Sequence, residues 1–330
     1  MNKPPLSDAT VSDLQTADPN TALPFAGVYV LKRVNTRKAR NDSEFLALEL
    51  GDMTGSFHAV CFGDSPHYTF FSQAREGAAL RISGMTGFYQ NRASPRIEKA
   101  EFLSDEELAA GDLLDRLIPA SREDPDALWA ELMAYVEEVQ MEPLRATVSQ
   151  ALNETASAFR SRAAAISMHH AYRCGLLEHT VHLCRAGKSL LPFYPFVNAD
   201  LAMSGLILHD IGKTIEYTDG LVTSKSREGI LHGHVVLGYR IARKAAIQAR
   251  LPEDIRERLE HVILSHQGEL EWGAAAMAAT PEAVFVSMLD NLDAKLAMVE
   301  NALQTTPDSH EFSDYIAGLK TPVLTRVITP

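Results

Sequence analysis

Cysteine is scarce and odd in number: the 330-residue chain has three, Cys61, Cys174 and Cys184, and no CxxC pair. That argues against a disulfide framework and a thiolate zinc site, so a reducing, cytoplasmic location is expected. Long apolar runs are also missing. None approaches the roughly 20 residues of a membrane helix. The N-terminus is polar with scattered acids, so neither a membrane span nor a secretory signal is expected. Excess positive charge is absent as well. The 31 Lys and Arg stand against 43 Asp and Glu, a net of −12, which argues against a protein that coats nucleic acid through bulk charge. The deficit is uneven. Residues 22–104 hold 10 basic and 8 acidic side chains (net +2), whereas residues 105–330 hold 20 and 32 (net −12). Any polyanion contact is therefore local, and the N-terminal segment is its expected seat.

What is present is an ordinary globular composition, 46% apolar and 22% charged, on a chain long enough for two or three domains. Residues 1–21 carry prolines and small polar residues without periodicity and are expected as a flexible tail. Short β-rich runs follow at 28–34, 44–50, 56–62, 80–89 and 96–102, separated by turn signals such as Asn41-Asp42 and Gly63-Asp64. Leu46, Leu48 and Leu50 alternate with Phe45, Ala47 and Glu49, the period of a half-buried strand. Five strands with a short helix (67–76) after the third predict a five-stranded OB-fold barrel over 22–104. From Asp124 and Pro125, an N-cap followed by proline, the period becomes helical. Helices are expected at 144–165, 177–190, 199–211, 232–249, 253–266 and 281–303. The fold class is thus multidomain α+β: tail, barrel, a helical connector (105–165), an all-α bundle (166–305) and a C-terminal tail (306–330).

Histidine and aspartate residues are spread through the helical half in a suggestive order. His179 and the adjacent pair His209 and Asp210 are followed by His234, His266 and Asp290, each on or beside an apolar run. A single histidine is most often a hydrogen-bonded core or surface residue. The pair His209 and Asp210 shifts that balance, because two polar groups end a helix otherwise apolar, and buried imidazoles and carboxylates are costly unless paired or metal-bound. Imidazole and carboxylate donors without thiolate suit Mn²⁺, Fe²⁺, Mg²⁺ or Zn²⁺.

This order resembles the signature of the HD superfamily of metal-dependent phosphohydrolases. The phrases HHAYRCGLLEHT (169–180), LHDIGK (208–213), LSHQGELEWG (264–273) and DNLDAK (290–295) resemble the YhaM-type 3′–5′ exoribonucleases, bacterial proteins with an N-terminal OB-fold and a C-terminal HD domain. The resemblance spans roughly residues 22–305. Two departures stand in it: Cys174 occupies a glycine position, and Gln267 a position that often carries a second histidine.

The resemblance implies two cations, Mn²⁺ foremost among Fe²⁺, Mg²⁺, Zn²⁺ and Co²⁺. One would take His179, His209, Asp210 and Asp290; the other would share Asp210 and add His234 and His266. Two cations suit phosphodiester hydrolysis, which needs an activated nucleophile and stabilised charge on the departing oxygen. Asp210 is the central catalytic candidate. Lys213, about one turn on, either contacts the scissile phosphate or balances a helix dipole. His170, Arg173 and Lys295 are weaker candidates for substrate contact. His182, His232 and His261 are expected to be structural, Asp293 an exposed helix acid, and Trp272 a core anchor rather than a stacking platform.

In the barrel, Lys32, Arg33, Arg37, Lys38 and Arg40 form a basic cluster at the end of the first strand and in the loop to the second, a segment that lines the single-strand groove of OB-folds. Arg92 and Arg96 flank the other loop of that groove, with Tyr89 and Phe57 as candidate stacking aromatics. The expected partner is single-stranded RNA, with single-stranded DNA as a further substrate, no membrane, and a homo-oligomer left open. Two competing readings are an HD hydrolase of small nucleotides with a regulatory barrel, and a non-enzymatic OB-fold adaptor. The intact ligand set argues against the latter.

Overall fold

The structure is a computed structural model that describes residues 6–39, 42–90, 92–109, 112–118, 121, 123–165, 172–307 and 310–326. The chain divides into two compact units, residues 1–119 with 219–222, and the remainder. No helix among the described residues is long and apolar enough to cross a membrane.

The first unit is built on strands β1 (Pro24–Lys38), β2 (Glu44–Asp52), β3 (Gly55–Phe62), β4 (Ala79–Met85) and β7 (Arg96–Phe102), all antiparallel neighbours in the order β3-β2-β1-β4-β7. Helix α2 (Tyr68–Gln73) follows β3. The long, central β1 pairs with β2 through its second half and with β4 through its first, which curls the sheet into the OB-fold barrel. Leu46, Leu48 and Leu50 point inward with Phe57, Tyr29 and Ile82. Each such side chain contributes about 1.5–3 kcal/mol by leaving water. The fourth run of the sequence is divided: β4 stops at Met85, and Phe88–Tyr89 (β5) pairs with Arg92–Ala93 (β6) in a separate hairpin.

Residues 6–21, expected to be a loose tail, are ordered against the barrel. Leu6 pairs with Phe25, and helix α1 (Val11–Thr16) buries Val11 and Leu14. Thr10 and Asp13 form a reciprocal capping box, Val11 N–H donates to Asp52 at 2.8 Å, and the Tyr29 hydroxyl donates to the Ala9 carbonyl at 2.7 Å. A six-residue helix is too short to show a period, so only these bonds reveal it. The expected connector is also divided. Helices α3 (Asp105–Ala109) and α4 (Leu113–Leu117) belong to the barrel unit, where Leu117 and Leu103 bury with Val30 and Ala79. Helices α5 (Pro125–Glu138) and α6 (Glu142–Ser161) contribute Leu132, Val148 and Leu152 to the core of the second unit.

That second unit is all-helical and continues with α7 (Gly175–Leu190), α8 (Ala199–Leu208), the single turn α9 (Lys213–Glu216), α10 (Arg227–Gln248), α11 (Glu253–Ser265) and α12 (Pro281–Thr305). Side-chain caps start four of its helices: Asp124, Asn198, Ser226 and Thr280 each accept from a backbone N–H of the first turn. Helix α8 lies in the middle, packed on α6, α7, α11 and α12, and is buried from Leu201 onward except at Met203. Residues beyond α12 form isolated bridges, Phe312 with Leu324 and Ile316 with Thr321.

Candidate metal centre

Five helices deliver six side chains to one place. His179 comes from the first turns of α7, His209 and Asp210 from the turn that ends α8, His234 from α10, His266 from the end of α11, and Asp290 from α12. His179, His209, Asp210 and His266 are essentially inaccessible, and Asp290 and His234 are largely covered. Two glycines make the approach feasible. A Cβ on Gly212 would lie 1.9 Å from the His234 carbonyl oxygen, so only glycine lets the turn after α8 meet α10. Gly233 adopts a left-handed conformation (φ 69°) inside α10, and the kink re-aims His234 immediately after it.

Each imidazole is held through Nδ1. That of His179 donates to Asp293 at 2.8 Å, that of His234 to Glu216 at 2.8 Å, that of His209 to the Leu206 carbonyl at 2.8 Å, and that of His266 to the Ile263 carbonyl at 2.7 Å. These bonds leave every Nε2 facing the others, as close as 3.2 Å between His179 and His209. The Asp210 carboxylate lies between two groups of candidate ligands. Its Oδ1 is 3.5 Å from Nε2 of both His234 and His266, and its Oδ2 is 3.3 Å from His209 and 3.8 Å from His179. Asp290 Oδ1 is 3.3 Å from His179 Nε2. Two triads result, His179–His209–Asp290 and Asp210–His234–His266, each with donor atoms within 4.8 Å of one another.

The electrostatics fit a cation. Burial alone would raise the Asp210 carboxyl, but the Lys213 ammonium 2.5 Å away and the His209 imidazole hold it well below the usual carboxylate range. Burial works the same way on Asp290, and the hydrogen bond from His179 overcomes it. For His179, burial acts to lower the pKa, while Asp290 and Asp293, one beside each ring nitrogen, raise it to about 9. Burial dominates at His266 and lowers it. Asp210 Oδ1 is buried without a hydrogen-bond partner, a costly arrangement that a cation beside His234 and His266 would relieve. The donor set of imidazole and carboxylate suits a hard or borderline divalent ion.

A third group, Glu123, Glu178 and His182, is of a different kind. Arg185 already lies across Glu123 at 2.8 and 2.9 Å and Glu131 at 2.7 and 2.9 Å, so a guanidinium holds those carboxylates. His182 belongs to this network and His261 accepts from Ala279 N–H, which makes both structural.

The remaining expectations divide. Lys213 is buried against Asp210, inside the site. Arg173, just before α7, and Lys295 on α12 are half-buried; His170 lies outside the described residues. Asp293, read as an exposed acid, is bonded to His179. Trp272 is 53% exposed and anchors no core. The sequence does not single out Glu216. Its one sequence signal is its place a turn after Lys213, since its partners His234 and Lys225 are brought to it by the fold. The departure at Cys174 also has a structural counterpart, for this residue caps α7 in a left-handed conformation (φ 65°) that favours glycine.

On the barrel, Lys32 to Lys38 lie within β1 rather than in a loop, and Arg40 lies outside the described residues. A bulge between Leu31 and Arg33 turns Lys32 aside, and its ammonium donates to the Gly55 carbonyl at 3.0 Å. Burial lowers the pKa of this lysine. It is therefore spent on the barrel itself. Phe57 is 2% exposed and belongs to the core, whereas Tyr89, 69% exposed, sits opposite Arg92 in the β5–β6 hairpin. The pairing instead puts Arg37, Phe45 and Phe62 in one row across the outer face, and Arg33, Glu49 and His58 in another. Phe62 is 57% exposed, with its ring centroid 6.1 Å from that of Phe45.

The HD domain family matches residues 175–295, which contain all six ligand candidates. Over 295 residues the chain is 30% identical to the 3′-5′ exoribonuclease YhaM of Shouchella clausii (strain KSM-K16), covering 89% of this chain and 90% of the relative. The chain belongs to the YhaM family. The YhaM protein of Halalkalibacterium halodurans is likewise 30% identical over 294 residues, covering 88% and 89% of the two chains. A chain from a replication protein A heterotrimer bound to ssDNA matches 30% of this one at 20% identity with a TM-score of 0.24.

Proposed function

We propose that this YhaM-family protein is a cytoplasmic, metal-dependent 3′–5′ exoribonuclease that releases nucleoside 5′-monophosphates from single-stranded RNA, with single-stranded DNA as a further substrate. The observation that carries the reading is Asp210, whose two oxygens face different histidine pairs in a buried cluster of imidazoles turned Nε2-inward. In this reading His179, His209, Asp210 and Asp290 hold one divalent cation, and Asp210, His234 and His266 hold a second, with Mn²⁺ the first choice. When bound, such a pair polarises phosphate oxygens and supplies hydroxide at neutral pH.

The protein groups do the rest. Asp293 and Glu216 fix the orientation of His179 and His234 through Nδ1. Lys213, held at Asp210, places a positive charge where negative charge develops on the leaving oxygen. A site this enclosed admits a flexible strand end more readily than a duplex. Arg33 and Arg37 on the barrel take phosphates, and Phe45 and Phe62 offer rings for base stacking.

The test is a 5′-labelled single-stranded RNA incubated with Mn²⁺ or with chelator. A descending ladder that needs metal, stalls at a 3′-terminal hairpin and is lost in Asp210→Ala is expected. Immediate release of the labelled 5′ nucleotide, or cutting of circular RNA, would refute the assignment. Turnover of small nucleotides alone would support a small-nucleotide hydrolase in its place.

A further inference from the structure

Gln267 touches two histidines of the second triad. Its side-chain nitrogen lies 3.1 Å from His234 Nε2 and 3.0 Å from His266 Nε2. The amide orientation follows from the other side of each ring. His234 Nδ1 faces the Glu216 carboxylate and His266 Nδ1 faces the Ile263 carbonyl, so both Nδ1 atoms carry the proton and both Nε2 atoms accept. An amide oxygen there would meet two lone pairs, so the NH₂ group points at them. The first triad differs: His179 and His209 meet each other and the carboxylates of Asp290 and Asp210.

We propose that Gln267 gates the second cation position: its amide occupies the two imidazole nitrogens that a cation between Asp210, His234 and His266 requires, and so makes that position weaker than the same ligands would make it without the amide. The inference rests on the two-cation reading above. Before the triad can accept an ion, Gln267 must give up both hydrogen bonds and swing away. It is half-buried just past the end of α11. Two neutral hydrogen bonds forfeited on binding correspond to roughly a tenfold lower affinity. The Gln267 amide bonds imidazoles of the second triad alone. Gln267 thereby lowers the affinity of the second position selectively, and the free concentration of the ion sets how much of the protein carries both.

The test is a titration of the metal-stripped full-length protein with Mn²⁺, counting free Mn²⁺ by its EPR signal. Wild type should bind in two phases. Gln267→Ala removes the competitor and should tighten the second phase about tenfold while leaving the first unchanged. Gln267→Glu keeps the size and replaces the donor by an anionic acceptor, so it should tighten the second phase further. The proposal is overturned if the second phase is unchanged or weaker in both variants, or if wild type and both variants stop at one ion. Wild type that binds no divalent ion at all overturns the parent reading instead. A fall in melting temperature of the stripped variants does not alter these outcomes, because the first phase serves as the internal control for a folded site.

Discussion

Replacing Gly212 by alanine tests how the site is built with a single methyl group. The added Cβ would lie 1.9 Å from the His234 carbonyl oxygen and 2.5 Å from the Gly238 backbone nitrogen. Ordinary contact begins near 3.4 Å, so α10 and the turn after α8 would have to separate by about 1.5 Å. Both clashing atoms are backbone, so no rotamer change relieves them. Overpacking of this kind costs up to about 3 kcal/mol. For a unit of some two hundred residues that lowers the melting temperature by roughly 6–12 °C. The activity loss should be larger than the stability loss explains. Asp210 and His234 sit on the two sides of the contact, and a displacement of about 1 Å in a reacting constellation costs on the order of a hundredfold in rate. Melting by circular dichroism and cleavage of a short labelled oligonucleotide at a temperature where the variant is folded separate the two effects. Gly212→Ala with native melting and native rate would refute the claim that this glycine sets the spacing of the site.

Other consequences follow from particular contacts. Glu216→Gln keeps shape but removes the charge behind His234, and should weaken the second Mn²⁺ phase by about tenfold while sparing the first. Phe62→Ala should weaken single-stranded RNA binding by about 1–3 kcal/mol per stacked base in a filter-binding assay, without slowing cleavage of a dinucleotide. The Arg185 guanidinium lowers the Glu123 carboxyl from 4.5 to about 2. Its folded pKa is depressed, so the stabilisation is full above about pH 4.5 and is lost as pH falls through about 2. The side chain is 39% exposed, so the contribution is under about 1 kcal/mol. The melting-temperature gap between wild type and Glu123→Gln should therefore be small at pH 6 and vanish towards pH 2.

The parts of the protein legible in the sequence are those with repetition. Leu46, Leu48 and Leu50 declare a strand because burial recurs every second residue, and the apolar run before His209 declares a buried helix ending in two polar groups. Where the structure depends on single contacts, the sequence is silent. Helix α1 buries only Val11 and Leu14, so its segment reads as a tail until Asp52 and Tyr29 are seen to hold it. Lys32 looks like its basic neighbours, yet one bulge separates its fate from that of Arg33. Phe57 and Phe62 belong to the same strand, and the inward face takes one while the outward face takes the other. Asp293 lies 114 residues from His179, a pairing that only the meeting of α7 and α12 creates.

The same distinction explains how the cluster is oriented. Each triad contains one histidine backed by a carboxylate and one backed by a carbonyl: His179 with Asp293 and His209 with Leu206, then His234 with Glu216 and His266 with Ile263. The two carbonyl-backed histidines are the C-caps of α8 and α11, and each bonds a carbonyl three residues back in its own helix. At a helix end those carbonyls lack intrahelical partners. One imidazole thus satisfies a carbonyl with Nδ1 and presents Nε2 to the centre. Both helix ends also direct the negative pole of the helix dipole towards the cluster, which favours a cation there. Local helix chemistry therefore orients half of the imidazoles, and long-range carboxylates orient the others. Loss of a carboxylate should loosen one ring, whereas loss of a C-cap histidine should remove a candidate ligand and fray the helix that carries it.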